Sequence, residues 1–390
     1  MITLISTEEL EDFCDYAKGF PYITIDTEFL REKTYYAKLC LVQLALPGSS
    51  EKNSVLVDPL IDEEFSFEPL FKLFKDTNIT KVFHAGRQDL EIFFNIGEII
   101  PEPLFDTQIA AMVCGFGEQV SYEILVKKIL NVNIDKTSRF SDWSRRPLTR
   151  AQENYAITDV THLRGVYEYL ERKLLANKRI SWISQEMGIL MEKNTYVTNP
   201  RDIWKKVKVR NKSPKFLTVI RELAAYRDIY AKNNNIPRTR VFKDDALLEL
   251  ASSKPKNIND LQSLRLLNKG AKLEPICSGI LRAIDLANNC PSEDLPKLLT
   301  PEHKIQKNDA LIDLLKVLLK AVSDKNGVAQ RLIASVSELE DISRGQAGLP
   351  SMLGWRYEIF GRIANDLCEG KISLGVERNE IKILEVNNKS

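Results

Sequence analysis

Strand-like runs are confined to the front of this chain, and helical periodicity takes over behind them. Residues 22–28 (YITIDTE) alternate, 38–46 (KLCLVQLAL) and 54–57 (SVLV) are rich in β-branched and aliphatic residues, and 80–84 adds a fourth run. Helical patterns occupy 7–18, 66–75, 87–95, 106–114, 121–130 and 149–174. Strands that come first and helices that come to dominate predict an α/β unit with a mixed sheet over residues 1–175.

From about residue 176 onward the β-rich runs almost disappear, so the rest reads as all-helical. Residues 176–210 read as a connecting segment. Ser213-Pro214 has the form of an N-cap followed by proline at the first helical position, with Leu217, Ile220, Leu223 and Ala224 on one apolar face. This opens a first helical domain, 211–289. The polar, proline-bearing stretch 289–305 reads as a linker, and a second helical domain follows over 305–375. Both blocks run from a long helix through a polar turn and a short helix to a last helix, which suggests one module used twice. At 390 residues the chain is long enough for several such units.

The formal net charge is +1, but it is a cancellation. Residues 1–134 carry 11 Lys and Arg against 22 Asp and Glu, a net of −11, while residues 201–300 carry 20 against 11, a net of +9. An acidic unit joined to a basic one suits a cation-holding site beside a surface for a polyanion. The densest basic stretch, 201–243, holds 13 Lys and Arg against 3 acidic residues. Lys205, Lys206, Lys208 and Arg210 are its candidate phosphate-backbone contacts, with steep salt dependence and little sequence preference. The interleaved Trp204, Phe216, Tyr226, Tyr230 and Phe242 are read as helix core in preference to base-stacking groups.

Six dispersed cysteines without a CxxC pair, and three histidines that form no pattern with them, disfavour zinc and disulfide frameworks. The opening MITLISTEELEDF lacks the charge and apolar run of a signal peptide, and no stretch approaches the ~20 apolar residues of a membrane span. These features predict a cytoplasmic protein with no membrane association and no obligate protein partner.

Asp26 and Glu28 lie two apart in a strand, so both carboxylates point to one face at its end. The preceding YITI is apolar on both faces, as in a central strand, where two carboxylates need a partner such as a metal. Tyr155 and Asp159 are four apart in a helical segment and share a face. Asp89, at a helix start, reads by itself as an exposed first-turn acid favoured by the helix dipole. Together they supply four carboxylates and one phenol, a set suited to two divalent ions.

The segments IDTEF, HAGRQDLEIF and YAITDV resemble the three exonuclease motifs of the DEDD superfamily, in its tyrosine-bearing branch. With DTEFLREKTYYAKLCLVQLA, LFDTQIAA and DKTSRFSDWSRRPLT, the likeness extends to the bacterial ribonuclease D family. That resemblance implies a ribonuclease H-like, DnaQ-like exonuclease domain followed by two all-α HRDC-like helical domains that bind nucleic acid. It implies 3′-to-5′ trimming of transfer RNA precursors with release of nucleoside 5′-monophosphates. It also implies two ions, Mg²⁺ or Mn²⁺, on Asp26, Glu28, Asp89 and Asp159, with Tyr155 orienting the attacking water. Thr27 and Phe29, which flank the acids, His84, and the Tyr35–Tyr36 segment are further candidates for substrate contact. For Phe29 and His84 a core role competes, and for Tyr35 and Tyr36 a solvated hairpin. A DNA exonuclease of the proofreading type and a catalytically silent nucleic-acid adaptor are the competing functions.

Overall fold

The computed structural model describes residues 2–211, 213–265, 267, 274–296 and 308–386. The N-terminal unit runs β1 (Ile2–Leu4), α1 (Thr7–Ala17), β2 (Tyr22–Leu30), β3 (Lys38–Ala45), β4 (Ser54–Val57), α2 (Glu68–Phe74), β5 (Thr80–Phe83), α3 (Arg87–Gly97), β6 (Leu104–Asp106), α4 (Thr107–Val113), α5 (Tyr122–Leu130), α6 (Arg150–Ala176) and α7 (Ile180–Met191). The sheet order is β1-β4-β3-β2-β5-β6, with β2 antiparallel to β3 and parallel to β5. The sheet is therefore mixed, as expected, and β2 lies inside it with neighbours on both edges. Its first four residues, Tyr22 to Ile25, are all buried, because both faces of an inner strand are covered by helices. β1 and β6 escaped the sequence reading, since three residues are too few to display an alternation.

α6 is the helix that crosses the face of the sheet carrying Asp26 and Glu28. Its start is specified locally by a capping box, in which Thr149 accepts from the Gln152 backbone N–H and the Gln152 side chain bonds back. Thr24 of β2 donates its hydroxyl to the Val160 carbonyl at 2.9 Å and to the Ala45 carbonyl at 3.1 Å, fastening helix to strand one residue pair below Asp26.

Residues 176–210 are not a simple tether. Ile183 and Met187 of α7 enter the N-terminal core, while Trp182 stacks on Trp355 of the second helical block at 4.5 Å and 11°. Behind α7 a 3₁₀ helix, Pro200–Lys206, is anchored by buried Ile203, and Val207 follows it into the core of the first block.

That first block comprises α8 (Pro214–Asn233), α9 (Arg238–Val241), α10 (Asp244–Ser253), α11 (Ile258–Ser263) and α12 (Glu274–Asn288). Ser213 takes the N-cap position in extended conformation with Pro214 next, and Leu217, Ile220, Leu223 and Ala224 are fully buried, as the sequence predicted. Gly279 lets α12 approach α8: a Cβ there would meet the Tyr226 ring at 2.1 Å. Trp204, Phe216, Tyr226, Tyr230 and Phe242 all pack against this core, in agreement with the core reading.

The second block repeats the order: α13 (Asp309–Asn326), α14 (Gln330–Ile333), α15 (Val336–Ser343), then α16 (Gly354–Arg356) continuing through a π-helical stretch, Tyr357–Gly361, into α17 (Arg362–Cys368). It has a core of its own. The all-helical expectation fails at its end, where β7 (Ile372–Glu377) and β8 (Glu380–Glu385) form an antiparallel hairpin. Arg378 and Asn379 supply the two positive-φ turn residues, at 49° and 66°, without the Asn-Gly or Asp-Gly pair that announces such a turn. The expected linker 289–305 is described only to Pro296; residues 297–305 lie outside the described residues. None of the six cysteines forms a disulfide, and no helix among the described residues is long and apolar enough to cross a membrane.

Candidate active site

Period two along β2 puts Asp26 and Glu28 on the face covered by α6, and period 3.6 along α6 puts Tyr155 and Asp159 on the face turned toward them. Carboxylate oxygens of Asp26, Glu28 and Asp159 lie within 4.8 Å of one another. A β-bulge between Glu28 and Phe29 shifts the register against β3 immediately after the second acid, and pairing resumes at Phe29 with Leu39. Tyr155 hydrogen-bonds the Asp159 carboxylate, and the Tyr122 hydroxyl donates to the Asp159 backbone carbonyl.

Asp89 departs from the exposed first-turn acid of the sequence reading. It is 7% exposed, and Thr27, on the opposite face of β2, donates its hydroxyl to the Asp89 Oδ1. The turn that delivers it is built by Asp106, whose carboxylate accepts from the N–H groups of Ala85 at 3.1 Å and Gly86 at 2.8 Å while capping α4. Ala85 sits at φ 54°, and a Cβ on Gly86 would meet the Phe83 side chain at 2.5 Å, so the turn is narrowly specified.

Gathering four acids in so little water raises all of their pKa values. Burial, then the charge of Asp159, pushes Asp26 up to about 8. Burial followed by Asp26, Asp159 and Asp89 pushes Glu28 to about 10, against the pull of Arg139. Burial raises Asp159 to about 7, opposed by the Tyr155 hydrogen bond and Arg139, and burial with Asp26 holds Asp89 well above the carboxylate range. Burial and the neighbouring carboxylates also hold the Tyr155 phenol well above its usual value, so it is a hydrogen-bonding group and not a base at neutral pH. Several acids that resist ionisation together, with all-oxygen donors, are the chemistry expected of a site completed by hard divalent cations, and this set fits them.

A pocket of about 350 Å³ opens over the acids. Asp26, Tyr155 and Asp159 line it beside His84, Tyr122 and Arg139. His84 Nδ1 is 3.0 Å from Thr107 Oγ1, its ring is 5.3 Å from that of Tyr122, and burial lowers its pKa, keeping the imidazole neutral. Phe29 is half-buried and packs on the main core. Arg139, Tyr122 and Asp106 were not singled out from the sequence; the first lies in the DKTSRFSDW stretch, and only folding brings it to the acids.

Tyr35 and Tyr36 lie elsewhere. The Tyr35 hydroxyl donates to Asp228 at 2.9 Å and accepts from Arg238 at 3.1 Å, while Asn235 Oδ1 accepts from the backbone N–H groups of Tyr35 and Tyr36 at 3.1 and 3.3 Å. They are therefore not a free solvated hairpin: the segment docks on the first helical block. It lines a cleft of about 1080 Å³ into which Arg31, Lys206, Lys232 and Lys243 also project. Lys205, Lys206, Lys208 and Arg210 are all exposed, with Lys205 paired to Asp202 at 2.5 Å.

Three converging acids on an inner strand and a crossing helix, a fourth at a helix start tied to that strand through Thr27, and a tyrosine one helical turn before the last acid define a 3′-to-5′ exonuclease. Residues 1–175 match the family model described as 3′-5′ exonuclease, and residues 216–284 match the HRDC domain. The chain belongs to the ribonuclease D family. It is 49% identical to a protein named ribonuclease D from Jannaschia sp. over 98% of this chain and 99% of that one, and 42% identical to one from Bartonella henselae over 98% and 93%. The crystal structure of Escherichia coli RNase D, described as an exoribonuclease involved in structured RNA processing, covers 95% of this chain and 99% of its own, with TM-score 0.80 and 26% identity.

Proposed function

We propose that this 3′-to-5′ exoribonuclease trims 3′ extensions from transfer RNA precursors and other structured RNAs, releasing nucleoside 5′-monophosphates. The observation that carries the reading is the convergence of Asp26, Glu28 and Asp159 within 4.8 Å, with Asp26, Asp159 and Tyr155 lining an open pocket. Asp26, Glu28, Asp89 and Asp159 would hold two divalent ions, Mg²⁺ or Mn²⁺. Bound there, such ions supply Lewis-acid activation of water and offset charge on the phosphate and the departing 3′ oxygen.

The protein's own groups do the rest. Tyr155 keeps its proton and orients the attacking water through its hydroxyl. Arg139 brings a positive charge to the rim, where a phosphate would sit. Thr27 holds Asp89 in place. His84, neutral and on the pocket wall with its Nδ1 held by Thr107, presents its ring to the terminal nucleotide, whereas Phe29 contributes packing.

The exposed Lys205, Lys206, Lys208 and Arg210, together with the cleft cations, form the phosphate-backbone surface of the HRDC side. The second helical block, with its matching order of elements, is read as a second HRDC-like module over 305–375. A cytoplasmic location belongs to the same reading, since six cysteines outside any disulfide suit a reducing compartment.

The test is to incubate the protein with a 3′-extended transfer RNA and its DNA counterpart under Mg²⁺, Mn²⁺ or chelator. Stepwise metal-dependent shortening of the RNA, lost in Asp26→Asn, is the expected result. Shortening of DNA alone would move the assignment to DNA repair, and RNA binding without cleavage under either metal would favour an adaptor.

A further inference from the structure

The β2–β3 ladder places Gln43 directly opposite Asp26. Facing residues of an antiparallel pair share one side of the sheet, with Cβ atoms ~4.5–5.5 Å apart. The Gln43 amide therefore rises on the side of the Asp26 and Glu28 carboxylates, beneath α6.

This layer is dry. Gln43 is 0% exposed, and Leu41 along β3 and Leu56 across on β4 pack with Trp143 and Ala156 in one apolar cluster. Within it neither Nε2 nor Oε1 of Gln43 has a hydrogen-bond partner. A buried amide left in that condition destabilises the fold, a cost which an apolar residue of the same shape would avoid. Folding alone gives no reason for glutamine here. The charged side chain that the register sets directly across from it is Asp26.

We propose that Gln43 is a positioning residue of the metal centre: its amide nitrogen, unpartnered in the metal-free chain, would donate to the Asp26 carboxylate once cations are bound and fix that ligand's orientation toward them. A ligating carboxylate swings about its Cβ–Cγ bond unless a donor behind it holds one oxygen, and loss of such a donor weakens metal binding ~10–100-fold. Gln43 is the cross-strand donor that the register supplies, and it acts through Asp26 without touching substrate. This inference rests on the metal-centre reading of the four acids.

The experiment compares the wild type, Gln43→Met, Gln43→Leu, Asp26→Asn and a control from the same layer, Leu56→Met. Mn²⁺ binding is measured by calorimetry, thermal unfolding in chelator, and RNA trimming as a function of Mn²⁺. Gln43→Met is expected to bind Mn²⁺ ~10–100-fold more weakly and to need correspondingly more Mn²⁺ for half-maximal trimming. Its Tm in chelator should be unchanged or higher, because an unpaired amide has left the core. Leu56→Met should leave Mn²⁺ affinity at the wild-type level. Mn²⁺ affinity of Gln43→Met within twofold of wild type would overturn the proposal, as would a lowered Tm in chelator. Failure of both Gln43 variants to fold would also overturn it, since the amide would then serve folding. A wild type that binds no Mn²⁺ would overturn the metal-centre reading itself, a result separable from failure of the Gln43 inference alone.

Discussion

Thr27 donates its hydroxyl to the Oδ1 of Asp89, tying the strand that carries Asp26 and Glu28 to the helix that carries the third acid. The bond runs on the opposite side of β2 from Asp159, so Asp89 approaches the strand end from the face that Asp26 and Glu28 do not occupy. Thr27→Val keeps the volume and removes the donor. It is expected to raise the Mg²⁺ concentration for half-maximal trimming ~10-fold or more, with Thr27→Ser largely restoring it. A metal titration of the trimming rate checks this.

Asp26→Asn should lower kcat by ~100-fold or more, because it removes a charge placed where the reaction needs cations. The same change should stabilise the metal-free protein. Burial and Asp159 push the Asp26 pKa up to about 8, so above that pH the wild type carries an unfavourable buried charge that asparagine lacks. A Tm increase of ~2–4 °C in chelator is expected for each kcal/mol relieved.

Metal binding should strengthen as pH rises. Asp159 and Asp26 have pKa values raised to about 7 and about 8, chiefly by burial, and must lose protons to ligate a cation. Binding near neutral pH should therefore release protons, visible by calorimetry in buffers of different ionisation enthalpy. The metal-free protein should behave in the opposite sense. A folded pKa above the unfolded value of ~4 gives stability that is complete below ~4 and is lost as pH rises through about 7 to 8. Its Tm in chelator should fall across that interval.

Tyr35→Phe removes a hydroxyl that bonds Asp228, whose side chain is 1% exposed, and Arg238. A hydrogen bond to a charged group is worth ~1.5–3 kcal/mol, so docking of the first helical block on the exonuclease domain should weaken by about that amount. Thermal unfolding and protease sensitivity of residues 192–213 would report it. Trimming of a structured transfer RNA should suffer more than trimming of a short single strand.

Charge reversal of Lys205, Lys206, Lys208 and Arg210 should weaken RNA binding at low salt. The slope of log K against log salt should become shallower by roughly 3, at ~0.7 per lost contact on single strands. Unchanged affinity at low salt would remove this surface from the RNA-binding reading.

The alternation of YITIDTE and the helical periodicity of 149–174 are local signals, and the strand and helix that they predict form within a few residues of the expected ends. Where the signal is short it is lost, as in β1 and β6, or lacks its usual turn residues, as at Arg378-Asn379. Asp26, Glu28, Tyr155 and Asp159 were legible because period two and period 3.6 state which side chains share a face. Asp89 was legible only through resemblance, since a first-turn acid looks the same exposed or buried.

Residue types and periodicity thus specified the acids, the tyrosine and the basic helical surface. Whether those acids meet, and what lies behind them, depends on register and crossing, which involve residues far apart in the chain. Gln43 faces Asp26 because the β2–β3 ladder pairs them, and Tyr35 meets Asp228, 193 positions away, because two domains dock. Such contacts form only when burial of apolar surface outweighs the entropy of closing the chain between them, a balance that no local pattern records.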